Sequence, residues 1–176
     1  MLLIVGRAAT GKDYAANYFK KSKYKKMVKS YTDRPKRYPG EDTHIFMSTE
    51  DLKFIKNRVC ETVVNGYTYF ATKIQMLTSD VYIVDPNGVY EIVDKFKNTN
   101  LKILYITSKE EIRRERYKKR QNIDNSDERF KAEDNAFSEF ESKLSEISSL
   151  PNISLIHLEN NEDQYAFNKQ LDKIDF

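Results

Sequence analysis

The sequence predicts an α/β fold: a parallel sheet with helices on both faces and a small β-rich unit inserted into it. Three observations carry this. Short apolar runs alternate with helical stretches at the spacing of strand–helix–strand units, a connection that sets strands parallel. The chain opens with an apolar run, LLIV, that passes through a glycine-containing loop into a helix. Between about residues 27 and 72 the alternation stops, and two stretches rich in β-branched and aromatic residues flank Asn65-Gly66, the pattern of an antiparallel hairpin.

Taken in order, residues 2–5 read as a strand buried on both faces, because four apolar residues in succession leave no polar side for water. A helix follows over about 12–21. Ser48-x-x-Asp51 has the spacing of a helix start and opens a short helix. RVCETVV (58–64) and YTYFAT (67–72) are the arms of the hairpin, since both residues of Asn65-Gly66 tolerate positive φ. VYIVD (81–85) and LKILYI (101–106) are further strands, and ISLIHL (153–158), just after Pro151, is the last. Helices are expected over roughly 88–97, 109–120, 127–147 and 161–173. No internal repeat or low-complexity linker interrupts the chain. It reads as one domain, residues 1–176, with a core of about 1–29 and 78–176 and an insertion of about 30–77.

Bulk properties exclude several classes. The chain of 176 residues suits one domain with a real core, and 39% hydrophobic with 32% charged residues describes a soluble protein. Thirty basic against 27 acidic residues give a net charge of +3, too small an excess to mark a nucleic-acid binder. No apolar run approaches the ~20 residues of a membrane span. The opening apolar stretch has four residues and no basic region before it, so it does not read as a signal peptide. Cys60 is the single cysteine and the two histidines lie far apart, which argues against a disulfide framework or a Cys/His zinc site. A cytoplasmic protein is expected; the oligomeric state stays open.

The loop after the first strand is the most informative stretch. Gly6-Arg7-Ala8-Ala9-Thr10-Gly11-Lys12-Asp13 has the spacing Gly-x4-Gly-Lys. Such a loop aims several backbone N–H groups at one point, at the positive end of the following helix, and lets the lysine reach the β- and γ-phosphates of a nucleotide. The chain has only five glycines, and two of them fall here. An incidental turn explains the glycines but not their coincidence with a strand–helix junction. Residues 6–13 are therefore expected to bind ATP, within a sheet of the P-loop NTPase type. After Lys12, where Ser or Thr is usual, stands Asp13. A carboxylate there either ligates Mg²⁺, a hard cation that prefers oxygen, or caps the first helical turn; both readings stay open.

The second informative stretch is SYTDRPKRYPGED, residues 30–42. Its prolines and glycine exclude a regular helix, so Arg34 and Arg37 are presented from a loop, where guanidinium forks match phosphate oxygens. Alone, the stretch also reads as a solvated basic turn. With these residues the chain resembles the guanylate kinase family. That family's Ser-x-Thr-Thr-Arg-x-Pro-Arg-Pro-Gly-Glu stretch is matched by Ser30 to Glu41, with one extra residue near Tyr38 and Asp33 for a threonine. NGYTYFATK (65–73) is similar to the family's Gly-Asn-Tyr-Tyr-Gly-Thr segment. VDPNG (84–88) is similar to its Asp-x-Asp-x-Gln-Gly stretch, with the second aspartate kept as Asp85. RYKKRQNIDNSDERFKAEDNAF (116–137) is similar to its lid, which is somewhat shorter here. His44 stands where the family has a phosphate-binding tyrosine, and Phe70 where it has another.

The resemblance implies an ATP-dependent phosphotransferase with Mg²⁺ as cofactor and GMP or dGMP as acceptor. Ser30, Glu61 and Thr72 would contact the guanine base, and Arg34, Arg37 and Tyr69 the acceptor phosphate. Arg120 and Arg129 would close over the transferring group from a short lid at about 120–130. Lys12, Arg37, Arg120 and Arg129 then form the catalytic set. Several of these residues carry a second reading. Glu61 alternates with apolar neighbours and also reads as a solvent-facing strand residue. Asp85 ends an apolar strand, where α/β sheets bind ligands, and is a reserve carboxylate for the base. Arg113, Arg114, Arg116, Lys118 and Lys119 share a helix with Arg120 and read mostly as a solvated face. Two other functions fit the same features: a kinase for another (deoxy)nucleoside monophosphate, or a catalytically inactive guanylate-kinase-like module that binds a protein. Intact Gly11 and Lys12 argue against the module.

Overall fold

The computed structural model describes residues 1–64, 66–121 and 126–176, with side chains described for all of these except 120, 121, 126, 128 and 129. In chain order the elements are β1 (Leu2–Val5), α1 (Lys12–Ser22), β2 (Tyr31–Thr32), β3 (Ile45–Phe46), α2 (Thr49–Leu52), β4 (Arg58–Val64) and β5 (Tyr67–Thr72). They continue with α3 (Lys73–Thr78), β6 (Val81–Ile83), α4 (Pro86–Lys95), β7 (Leu101–Thr107), α5 (Glu110–Gln121), α6 (Ser126–Ser148), β8 (Ile153–Glu159) and α7 (Gln164–Asp172).

The central sheet has the order β6-β1-β7-β8 and is parallel throughout. All four residues of β1 are buried, which requires cover on both faces, and alternation along the strands divides the core accordingly. Leu3, Val5, Ile103 and Tyr105 face α4 and α6, packing with Ile92, Phe137 and Phe140. Leu2, Ile4, Leu104 and Ile106 face α1 and α7, packing with Phe19, Phe167 and Leu171. Burial of a side chain of this size is worth roughly 1.5–3 kcal/mol, so the two faces together fix the sheet between its helices.

The insertion forms a second sheet of order β3-β2-β5-β4, with β2–β3 parallel and the other pairs antiparallel. Its hairpin β4–β5 turns through Gly66 at φ +81°, a conformation free of strain only for glycine; Asn65 lies outside the described residues. The sheet is tied to the core where α4 crosses β4: the Cys60 thiol contacts the Gly88 carbonyl at 3.6 Å, and the Cys60 N–H donates to Glu91 at 2.9 Å.

Three features depart from the sequence expectation. The strands β2 and β3 are two residues long and show no readable period. Helix α3 follows β5 directly, opened by a capping box in which Thr72 and Gln75 each satisfy the other's backbone N–H. Helix α4 starts at Pro86, ahead of the expected residue 88, because Asp85 caps it by accepting from Gly88 N at 2.7 Å. Proline costs nothing at that first position, where an N–H has no partner in the helix anyway. Among the described residues, no helix is long and apolar enough to cross a membrane.

Candidate functional site

The loop between β1 and α1 is held by close packing at its glycines. A Cβ on Gly6 would fall on the Ile106 carbonyl, and one on Gly11, at φ +103°, would lie 2.5 Å from Asn160 Nδ2. Asn160, at the end of β8, donates to the Thr10 carbonyl at 2.9 Å and so braces the loop from behind. Inside the loop, Thr10 Oγ1 and Lys12 Nζ both donate to the Arg7 carbonyl, at 2.9 and 2.8 Å. The Ala8 N–H donates to Glu133 Oε2 of α6 at 2.7 Å. Arg7 itself turns away to α6, where it pairs with Glu141 and lies over the Phe137 ring at 4.9 Å. Burial alone would lower the Arg7 guanidinium, but its hydrogen bond to Glu141 carries it above its ordinary value.

A cavity of about 400 Å³ separates this loop from the small sheet. Lys12 and Asp85 line it from the core; Ser30, His44, Thr62 and Tyr69 line it from the insertion. A neighbouring cavity of about 290 Å³ shares the Ser30, His44 and Tyr82 wall and adds Asp13 and Arg37. Of the expected residues, Lys12, Ser30, Tyr69 and Asp85 therefore meet around one space, with Asp13 and Arg37 next to it. The side chains of Arg120 and Arg129, and residues 122–125 of the expected lid, lie outside the described residues.

Three expectations need correction. Glu61 does not line the cavity. Cys60, at φ +54°, and Glu61 form a bulge opposite one residue of β5; beyond it Thr62 and Val64 face the cavity, while Glu61 points to the other face and pairs with Arg58 at 3.0 Å. Thr72 does not line it either, because its hydroxyl is engaged in capping α3. Arg34 is not presented from an open loop. It is 7% exposed and binds Glu41 with both guanidinium ends, at 2.7 and 3.4 Å. That hydrogen bond from Arg34, joined by those from Arg37 N and Thr43 Oγ1, holds the Glu41 carboxyl at about 2.

Other functional candidates had little sequence signal. His44 packs on Tyr69 with ring centroids 5.5 Å apart, and its Nδ1 is buried with no hydrogen-bond partner among the described residues. Burial, helped by the nearby Arg34 charge, lowers its pKa and keeps the ring neutral. On the far side of the loop, a cavity of about 390 Å³ is lined by Ala9, Tyr14, Arg116, Asn160 and Phe167. Arg116 is held there by the Asn160 carbonyl at 3.1 Å. The available signal for Asn160 was its place just beyond a parallel strand, where such sheets bind ligands. Arg113, expected on a solvated face, is 5% exposed because α6 covers it and sets Phe130 4.4 Å from its guanidinium.

No group of three or more His, Cys, Asp or Glu is placed to hold a metal among the described residues. Asp13, in the first turn of α1, is a single oxygen donor beside the glycine loop.

A parallel sheet, a glycine–lysine loop between its first strand and helix, and a small inserted sheet facing that loop make up an α/β fold of the P-loop type. Among solved structures, the guanylate kinase from Anaplasma phagocytophilum superposes with a TM-score of 0.60 at 12% sequence identity, over 98% of this chain and 82% of that chain. No family model matches the sequence, and no curated protein does. The likeness is one of fold.

Proposed function

We propose that the chain is a nucleoside monophosphate kinase that transfers the γ-phosphoryl group of ATP to GMP or dGMP. One observation carries this reading: Lys12 of the phosphate loop and Tyr69 and Asp85, on the acceptor side, line the same cavity. The donor phosphates lie along the loop, against the N–H groups at the start of α1. The donor base fits the far cavity beside Tyr14, Phe167 and Arg116. The acceptor phosphate faces Tyr69 and Arg37, and its base lies toward Ser30 and Asp85. An oxygen of the acceptor phosphate attacks the γ-phosphorus as the bond to the bridging oxygen of the β-phosphate breaks, and ADP leaves. The nucleophile is already ionised, so the protein supplies no general base. Its contribution is in-line positioning and positive charge. Lys12 Nζ exchanges the Arg7 carbonyl for the β- and γ-oxygens. Asp13 is the residue of this chain that would hold a Mg²⁺ ion brought with ATP, directly or through water, and the ion would supply further positive charge at those oxygens.

Guanine is favoured over adenine by a carboxylate on the cavity wall, that of Asp85. Guanine offers N1–H and its exocyclic amine side by side, whereas adenine has an acceptor at N1 and would set it against the carboxylate, whose Oδ1 already accepts from Gly88 N. A site of this kind rejects the wrong base by roughly 10⁴-fold. With Glu61 on the other face of β4, Asp85 is the carboxylate that serves. The departures at Glu61 and His44 support a second reading, with another nucleoside monophosphate as acceptor. ATP consumption against each ribo- and deoxynucleoside monophosphate separates the two. GMP or dGMP should lead, and Asp85→Asn should depress that reaction far more than ATP binding. Equal use of AMP would sink the guanine assignment, and no acceptor-dependent consumption at all would sink the kinase assignment.

A further inference from the structure

The phosphate loop is satisfied from within. Three groups that would face a nucleotide are engaged by the protein: Ala8 N–H by Glu133 Oε2 at 2.7 Å, and Lys12 Nζ and Thr10 Oγ1 by the Arg7 carbonyl. The first of these contacts brings a carboxylate to a backbone donor of the loop that leads into the N-terminus of α1, the place an anion seeks. Glu133 is not there by accident of a loose side chain. It belongs to a stripe of α6, Glu133, Phe137 and Glu141, spaced four residues apart and so on one helix face. Phe137 and Glu141 both hold Arg7, the residue next to Ala8, and Tyr105 of β7 adds a hydrogen bond to Glu141. The helix is thus clamped onto the loop, and Glu133 and Lys12 line the same cavity wall.

We propose that Glu133 is an internal competitor of the donor nucleotide: its carboxylate occupies the place of a phosphate oxygen at Ala8 N–H, and ATP binds by displacing it. The inference rests on the reading of residues 6–13 as the donor site. Only the fraction of molecules with Glu133 withdrawn binds ATP, so the apparent dissociation constant equals the intrinsic one divided by that fraction. The displaced carboxylate must also leave, because two anions at one donor repel. A purely structural glutamate has the opposite consequence, since its removal would loosen the loop and weaken binding.

The test is ATP binding by titration calorimetry, without acceptor, for the wild type, Glu133→Gln and Glu133→Ala, with sodium tripolyphosphate as a second probe that carries no base. Urea unfolding of each protein without ligand is measured in parallel. Removing the competitor should tighten ATP about tenfold in Glu133→Ala and less in Glu133→Gln, which keeps an acceptor oxygen but loses the charge. Tripolyphosphate should follow the same order, while ligand-free stability falls slightly. Affinity that is unchanged or weaker in both variants overturns the proposal and leaves the donor site standing. Failure of all three proteins to bind either probe overturns the proposal together with the donor site. ATP binding without turnover of any acceptor touches the proposed function alone.

Discussion

At the scale of single residues, the Arg34–Glu41 pair and Glu61 show where a sequence speaks and where it is silent. Arg34 was legible as an arginine held in a Pro/Gly loop, but its partner seven residues on was not, because a bidentate pair depends on the path of the loop and not on spacing. Both groups are almost wholly buried. Glu41 has its carboxyl lowered from the ordinary 4.5 to about 2, first by the hydrogen bond from Arg34. A lowered acid contributes stability that is fully present above the unfolded value and is lost as pH falls toward the folded one. Stability should therefore decline between about pH 4.5 and 2 for this reason. Glu41→Gln should flatten that part of the curve and, at neutral pH, cost about 3 kcal/mol or more, since it leaves a guanidinium buried without its anion. Urea unfolding as a function of pH measures both. An unchanged acid limb in the variant would show that the pair does not carry it. Glu61 lies on the other face of its strand, as the solvent-facing reading of its alternation allowed; the bulge at Cys60 that accompanies this has no mark in RVCETVV.

Among the elements, legibility followed length and position. β1, β7 and β8 were evident from their apolar runs and the longer helices from their place between them, while the two-residue strands and the capped helix α3 were not. The junction β1–loop–α1 was the best read of all, because glycine spacing there reflects geometry directly. Gly11 and Gly40 allow that geometry to be tested. Both have positive φ, +103° and +83°, but a Cβ on Gly11 meets Asn160 at 2.5 Å while one on Gly40 meets nothing within 4 Å. Gly40→Ala should cost only the backbone term, roughly 1–2 kcal/mol. Gly11→Ala adds the displacement of Asn160, and with it the brace on the Thr10 carbonyl. It should lose more stability in urea and also lose ATP affinity, which Gly40→Ala should retain. If both variants bind ATP like the wild type, the loop does not depend on its packing against β8.

On the scale of the whole molecule, the candidate site is a gap between two sheets, and this is the level at which the sequence was least informative. It supplied a parallel sheet and an inserted hairpin, but not that β6 and β7 flank β1, nor that the small sheet stands across a cavity from the phosphate loop. Those relations rest on contacts between residues far apart in the chain, such as Cys60 with Gly88 and Ala8 with Glu133. They also have a consequence for binding. In the proposed function, donor and acceptor would contact opposite walls of one cavity, so each would order part of the same space. Two independent ligands, each at about a hundred times its dissociation constant, would together stabilise the fold by the sum of their separate effects, about 2.7 kcal/mol apiece. If the first ligand has already ordered the wall that the second requires, the second binds to a better-formed site and the combined effect exceeds the sum. We expect urea unfolding with GMP and a non-hydrolysable ATP analogue together to show more stabilisation than the two measured singly and added. A strictly additive result would mean that the two sheets bind their ligands without sensing each other, and that closure between them is no part of how this protein works.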